Sequence, residues 1–346
     1  MRSLARYAVT NAVTRAMLSR LLTRADYEMI ARATSVREAW GALRRTDAGA
    51  ELPEEARTDP LYAEVQMRTL AARQFARATR QLRGRARAVG ELLLSRWELD
   101  VVETALRLWH GGDPSLDALL QESLPVHAAA LGELVNAQSV EEAALALRGT
   151  PYLDPLTAGA AKYKERGSVL YLEVALERDY YARLMAATHA LGGMDARQGE
   201  RVVGGEIDML NLAWAGRLMA YHDMTAAGLA EFMVPGPSAL SRRLSSPGLA
   251  PGDIETLGAE ALPEPVRREF GGLPPLERLS LLEHAVTEMS AAAAREALAG
   301  YPFSIAGVFA FYMLKRVEMR NLVTVFAGIA CGLSDMDLTA RLAGTG

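Results

Sequence analysis

Ile-Asp-Met-Leu-Asn-Leu (207–212) and Val-Glu-Met-Arg-Asn-Leu (317–322) lie 110 residues apart, and Trp-Glu-Leu-Asp-Val-Val (97–102) lies 110 residues before the first of them. Glu98, Asp208 and Glu318 are therefore evenly spaced along the chain. An asparagine follows three positions later in two of the copies, Asn211 and Asn321, and Val101 replaces it in the first. A fixed period is the signature of one structural unit copied along the chain. A period near 110 is too long for ordinary solenoid repeats and suits a small helical lobe. Upstream, Leu-Tyr-Ala-Glu-Val (61–65) and Leu-Tyr-Leu-Glu-Val (170–174) agree in four of five places, and Glu283 falls near the third expected position.

A second repeat aligns residues 35–46 with residues 139–150 without gaps. Each copy opens with Ser-x-x-Glu, Ser35 with Glu38 and Ser139 with Glu142. In a capping box the serine oxygen accepts an orphan N–H and the glutamate reaches back to the cap residue's own N–H, so both copies predict a helix start. Ser115, Thr225 and Ser334, downstream of the three motif segments, suit the caps of further helices.

Helical periodicity dominates the rest. Met17, Leu18, Leu21 and Leu22 form a buried stripe, while strand-like alternation is nearly absent and aromatic residues make up 6%. Gly-Gly, Pro-Gly and Pro-Pro breaks punctuate the helical segments. The predicted fold class is all-α, with three similar helical lobes in pseudo-threefold arrangement over residues 1–112, 113–222 and 223–346, helices being free to cross between lobes.

The chain has 346 residues, 50% of them hydrophobic, and a net charge of −4, which gives no drive toward nucleic acid. With a single cysteine, Cys331, a disulfide framework is impossible and a reducing cytosolic compartment is favoured. Cys331 sits in an apolar run and reads as a small core residue. The most apolar segments, 301–314 and 321–333, fall short of the ~20 residues a membrane span needs and read as core helices. The acid-free first 25 residues faintly resemble a transit peptide, but their periodic apolar positions fit a first helix.

Catalytic signatures are missing. The three lysines, Lys162, Lys164 and Lys315, follow no phosphate-loop glycine pattern, and the five histidines are scattered without metal-ligand spacing. No catalytic, cofactor-binding or metal residue is assigned. Glu98, Asp208 and Glu318 stand in apolar helices, where an unpaired charge is costly, so each requires a partner. Arginines nine residues on, Arg107 and Arg217, lie on the opposite helix face, so acid and arginine pair between helices or cap neighbouring helix ends. Glu98, Asp208, Asn211, Glu318 and Asn321 read as structural anchors of the repeat.

Tyr301-Pro-Phe-Ser-Ile through Lys315-Arg-Val-Glu-Met-Arg-Asn-Leu322, the Ile-Asp-x-x-Asn-Leu segment at 207–212 and Leu176-Glu-Arg-Asp-Tyr-Tyr181 together resemble the C subunits of bacterial and archaeal A/V-type rotary ATPases, counterparts of the d subunits of eukaryotic V-ATPases. The likeness runs over essentially the whole chain and departs from the pattern at Val101. It implies a three-lobed, funnel-like helical component of the central stalk with no catalysis of its own. Such a component is peripheral on the cytoplasmic face of the membrane. It couples the shaft subunits D and F to the proteolipid ring and carries torque for proton or sodium transport.

Residues 1–90 carry 17 arginines against 9 acids, and residues 66–90 carry seven arginines and no acid. On one continuous helix Arg73, Arg77, Arg80 and Arg87 share a face, a candidate surface for an acidic partner or anionic lipid headgroups. The competing reading is a free-standing helical adaptor with an unrelated partner, and a weaker one is a helical enzyme with an unrecognised site.

Overall fold

The computed structural model describes residues 2–54, 59–112, 127, 129–222, 226–246, 256, 259–260, 262–270 and 272–345, and every regular element among them is a helix. The N-terminal part holds α1 (Arg2–Leu18), α2 (Arg24–Ala31) and α3 (Val36–Arg44). Two long helices follow, α4 (Pro60–Thr79) and α5 (Gly84–Gly111). The middle contains α6 (Leu131–Val135), α7 (Val140–Ala146), α8 (Leu153–Arg166), α9 (Leu170–His189) and α10 (Gly193–His222). The last part contains α11 (Ala226–Leu229), α12 (Ala239–Leu244), α13 (Glu264–Phe270), α14 (Pro275–Ala299), α15 (Ala306–Ala330) and α16 (Asp335–Ala340).

Six of these build the frame as three hairpins, α4–α5, α9–α10 and α14–α15, and the repeated acids lie on the second helix of each. The hairpins also pack in cyclic order: α5 against α9, α10 against α14, and α15 back against α4. The contacts fix the directions. Phe75 of α4 stacks on Phe311 of α15 with ring centroids 6.0 Å apart, while Met67 and Leu70 lie beside Met319 and Leu322, so α4 and α15 are antiparallel. Asp195 of α10 meets Ile305 and Glu206 meets Tyr312, so α10 and α15 are parallel. The three hairpin turns, at 80–83, 190–192 and 300–305, consequently share one end of the molecule.

The first turn corrects a sequence expectation. The arginine-rich stretch 66–90 is two antiparallel helices and not one: α4 ends at Thr79 and the chain reverses before Gly84. Leu82 is fully buried at the bend and donates its N–H to the Thr79 carbonyl at 2.9 Å, and Gly84 adopts φ +56°, a left-handed conformation that a β-carbon would penalise. Arg87 therefore lies on α5, off the helix that carries Arg73 and Arg77.

Ser35 and Ser139 cap α3 and α7, each accepting from the glutamate N–H three residues on. The reciprocal bond differs from the predicted box. Glu38 accepts from the N–H of Thr34 and Glu142 from that of Gln138, both at 2.8 Å, so the acid reaches one residue beyond the cap, identically in the two copies. Ser334 caps α16, whereas Ser115 and Thr225 lie outside the described residues. Cys331 is exposed, contrary to its reading as a core residue. It follows the last residue of α15, whose buried face ends at Phe326 and Ile329, and Gly332 at φ +74° turns the chain outward.

The chain ends meet. α1 runs along α15 and α4, while α2 and α3 pack on α15, and α2 also on α16. Trp40 of α3 lies edge-on to Phe326 of α15 at 6.4 Å. One large hydrophobic cluster unites most of this frame, and a smaller one joins α10, α12, α13 and α14 around Phe232, Met233 and Leu244.

Candidate functional site

Each of the three repeated acids holds a segment that follows its hairpin in space. Glu98 of α5 accepts the backbone N–H of His127 at 2.8 Å, the imidazole Nδ1 of the same residue, and the Tyr152 hydroxyl at 2.9 Å. Asp208 of α10 accepts the hydroxyls of Ser238 and Ser241, and the Ser238 oxygen also caps α12. Glu318 of α15 accepts the Leu22 N–H at 2.8 Å, and its second oxygen pairs with Lys315 one turn back. Glu98 and Glu318 are 3% and 4% exposed, so these bonds are what compensates a desolvated carboxylate. In the third copy the partner comes from the N-terminal part of the chain.

The asparagines perform a second, matching task. Asn211 donates Nδ2 to the Val234 carbonyl and accepts the Val234 N–H, both at 2.8 Å. Asn321 does the same to Ala343, at 2.7 and 3.2 Å. A side-chain amide offers a donor and an acceptor side by side, as one residue of an extended strand would. Val101 offers neither and faces the core.

The arginines nine positions on also repeat their geometry. Arg107 of α5 pairs with Glu173 of α9 at 2.6 Å, and Arg217 of α10 pairs with Glu283 of α14 at 2.7 Å. Each pair joins one hairpin to the next. The third copy has Ala327 at that position, and Arg320 reaches Glu283 from α15 at 3.6 Å instead.

Between these anchors lies an ionic cluster that the sequence reading missed. Asp100 of α5 accepts from Arg68 of α4 at 2.8 Å, from Arg96 on its own helix at 3.0 Å, and from Arg316 of α15 at 2.6 Å. Arg96 also donates to Glu177 of α9, and Tyr312 of α15 donates to Glu206 of α10 at 3.0 Å. These bonds tie α4, α5, α9 and α15 together, and Glu206 brings α10 within the electrostatic reach of Arg316 and Arg96. Burial alone would raise the Asp100 carboxyl, but Arg316, Arg96 and Arg68 hold it well below the usual range. Glu103 is pushed well up by burial and by the neighbouring Glu177, against the pull of Arg96. Burial likewise raises Glu206 and Glu173. One Oε of Glu103 and one of Glu206 have no hydrogen-bond partner among the described residues. The legible signal was Arg96, Asp100 and Glu103 at i, i+4 and i+7, on one face of α5.

Arg73, Arg77, Arg80 and Arg87 are all exposed. Arg77 pairs with Glu51 at 2.7 Å and Arg87 with Glu91 at 2.7 Å, so only Arg73 and Arg80 of the four lack a carboxylate partner among the described residues. A cleft of about 360 Å³ opens between α10, α14 and α15, lined by Val202, Met209, Met289, Ala293 and Met313. Among the described residues no three His, Cys, Asp or Glu side chains are grouped to hold a metal ion, and no helix is long and apolar enough to cross a membrane.

The family model described as "ATP synthase (C/AC39) subunit" matches residues 10–341. Among curated proteins, the C subunit of the A-type ATP synthase of Methanocaldococcus jannaschii is 23% identical over 340 residues, covering 94% of this chain and 83% of the relative. That of Halobacterium salinarum is 25% identical over 236 residues, 67% of each chain. The match to that of Methanosphaera stadtmanae, at 24% identity, takes in 60% of this chain and about half of the relative, 52% of its length.

Proposed function

The chain belongs to the ATP synthase (C/AC39) subunit family, and from that membership we propose that it is the non-catalytic coupling component of a rotary A/V-type ATPase. In this reading it lies peripherally on the cytoplasmic face of the membrane. It receives the foot of the rotating shaft, subunits D and F, and passes torque to the proteolipid ring during proton or sodium transport. It contributes stiffness and shape and performs no chemistry.

The observation that carries the proposal is the cyclic packing of three matched hairpins. Such packing favours three lobes in pseudo-threefold, funnel-like order. The lobes divide near residues 112 and 222, except that α2 and α3 complete the third lobe from the first segment. Glu98, Asp208, Asn211, Glu318 and Asn321 then serve as anchors that fix each lobe's closing segment to its long helix. The ionic cluster supports the mechanical role. Close-packed interiors resist deformation, and a network tying four helices together lets no one of them twist alone. Arg73, Arg77, Arg80 and Arg87 remain the candidate partner-facing basic residues, with Arg73 and Arg80 the readiest to engage an outside anion.

Co-purification of the tagged full chain from cells expressing the whole complex tests this reading. Recovery of the shaft and ring proteins in fixed ratio supports it. Recovery of the chain alone, or with unrelated proteins, overturns it in favour of a free-standing adaptor.

A further inference from the structure

The end of the molecule that carries the three hairpin turns has a surface chemistry unlike a simple solvated cap. At the first turn Arg80, Arg83 and Arg85 are exposed, and none of them pairs with a carboxylate among the described residues; Arg83 is turned onto the carbonyls of Arg80 and Leu82. At the second turn Met194 is 59% exposed, and at the third Tyr301 is 58% exposed. Val9 of α1, 61% exposed, lies between Tyr7, which donates to Asp195 at 2.7 Å, and Asn11, which approaches Gly307. Asp195 in turn accepts the Ile305 N–H at 3.2 Å, so α1, the second turn and the third turn converge at one point. Arg80 lies five residues beyond Phe75, which stacks on Phe311, and at ~1.5 Å per residue this places it near the level of Ile305.

Three of the acids at this end are engaged, while Glu296, on the last turn of α14, is exposed and has no cationic partner among the described residues. Asp195 is held by Tyr7 and Ile305, Glu200 lies 3.4 Å from His189, and Glu91 pairs with Arg87. What else faces outward is unpaired guanidinium beside isolated large apolar side chains. A lipid surface uses both, because arginines meet anionic headgroups while Tyr and aliphatic side chains enter the boundary with the acyl chains. A protein interface uses the same residue types, so the vesicle and ring arms of the test below separate the two.

We propose that the hairpin-turn end is a docking face for an anionic phospholipid surface, with Arg80, Arg83 and Arg85 as headgroup contacts and Val9, Met194 and Tyr301 as shallow apolar insertions. The face deepens the reading of a membrane-peripheral protein by naming which end meets the bilayer, and it rests on that reading only for its cellular setting.

The test is co-sedimentation of the purified full chain with protein-free vesicles of phosphatidylcholine alone or with 30% phosphatidylglycerol, about 30% being enough to give an appreciable surface potential. Binding is expected to the anionic vesicles and to fall steeply between low and high salt. The R80E/R83E/R85E variant, altered only at exposed positions, should bind at least tenfold more weakly, and Tyr301→Ser should weaken binding at high salt, where the apolar contribution remains. Circular dichroism and the thermal midpoint establish that both variants fold. No binding to vesicles, equal binding to neutral and anionic vesicles, or an unchanged affinity of the triple variant overturns the proposal. So does binding to the isolated proteolipid ring without binding to vesicles, which assigns the face to an acidic protein. Co-purification with the shaft proteins is read separately, so loss of the rotary reading leaves the vesicle result standing and the reverse also holds.

Discussion

Arg96 and Glu103 sit in the same network and carry opposite consequences. Arg96 is buried and bridges Asp100 to Glu177, so Arg96→Ala strands the Glu177 carboxylate while Asp100 keeps Arg68 and Arg316; the expected loss is about 3–5 kcal/mol in urea unfolding. Glu103 has its folded value raised, so whatever it contributes is complete below its unfolded value near ~4.3 and is lost as pH rises through the folded value. Glu103→Gln should therefore match the parent near pH 4 and equal or exceed it at pH 8. Asp100 behaves conversely: its folded value is depressed, its contribution is complete above ~3.9 and disappears on acidification. Asp100→Asn should flatten the acid limb of the stability curve while lowering the plateau at neutral pH. A pH series of denaturant midpoints reads all of these together. Asn211→Ala leaves the Val234 N–H and carbonyl unpaired in a buried place and should cost about 1–3 kcal/mol. The same substitution at Asn321 should cost a similar amount.

Among elements, the hairpins are held at close range by small residues as well as by charge. A β-carbon on Gly199 of α10 would stand 2.4 Å from Thr188 Cγ2 of α9 and 3.0 Å from the Phe309 ring of α15. Gly199→Ala must push α10 off two neighbours at once, and a loss of about 1–3 kcal/mol with faster amide exchange in α9 and α10 is expected. Gly205, one turn and a half further along, meets nothing within 4 Å, so Gly205→Ala should be neutral or slightly stabilising through helix propensity. The pair of variants separates packing from propensity on one helix.

For the whole molecule, closure through the N-terminus makes a distinctive demand. Leu22 binds Glu318, Tyr27 lies over the same turn of α15, and Trp40 packs on Phe326, so α2 and α3 belong in space to the chain's last third. Deleting residues 1–46 should therefore raise amide exchange across 306–345, far along the sequence, more than across α5. Equal deprotection of both regions would mean that the segment serves the frame generally.

Some of this was written plainly in the chain. The Glu98, Asp208 and Glu318 period revealed the copied unit because an acid in an apolar helix is conspicuous, and Ser-x-x-Glu marked two helix starts because capping is a local bond. The all-helical class followed from periodicity, which depends on neighbours within a turn or two. The break at Leu82 was missed, since residues 66–90 are rich in helix formers and Gly84, which takes the left-handed conformation at the reversal, is also tolerated within helices; burial of Leu82 at the bend helps make the reversal favourable. The ionic cluster also escaped, because Arg96, Glu177 and Arg316 belong to three different helices and their charges become partners only when packing removes water from all of them. Sequence determined what each helix is, since that is decided by bonds within it; the tertiary structure alone decided what each acid holds, since its partners arrive from segments about 30 to 300 residues away.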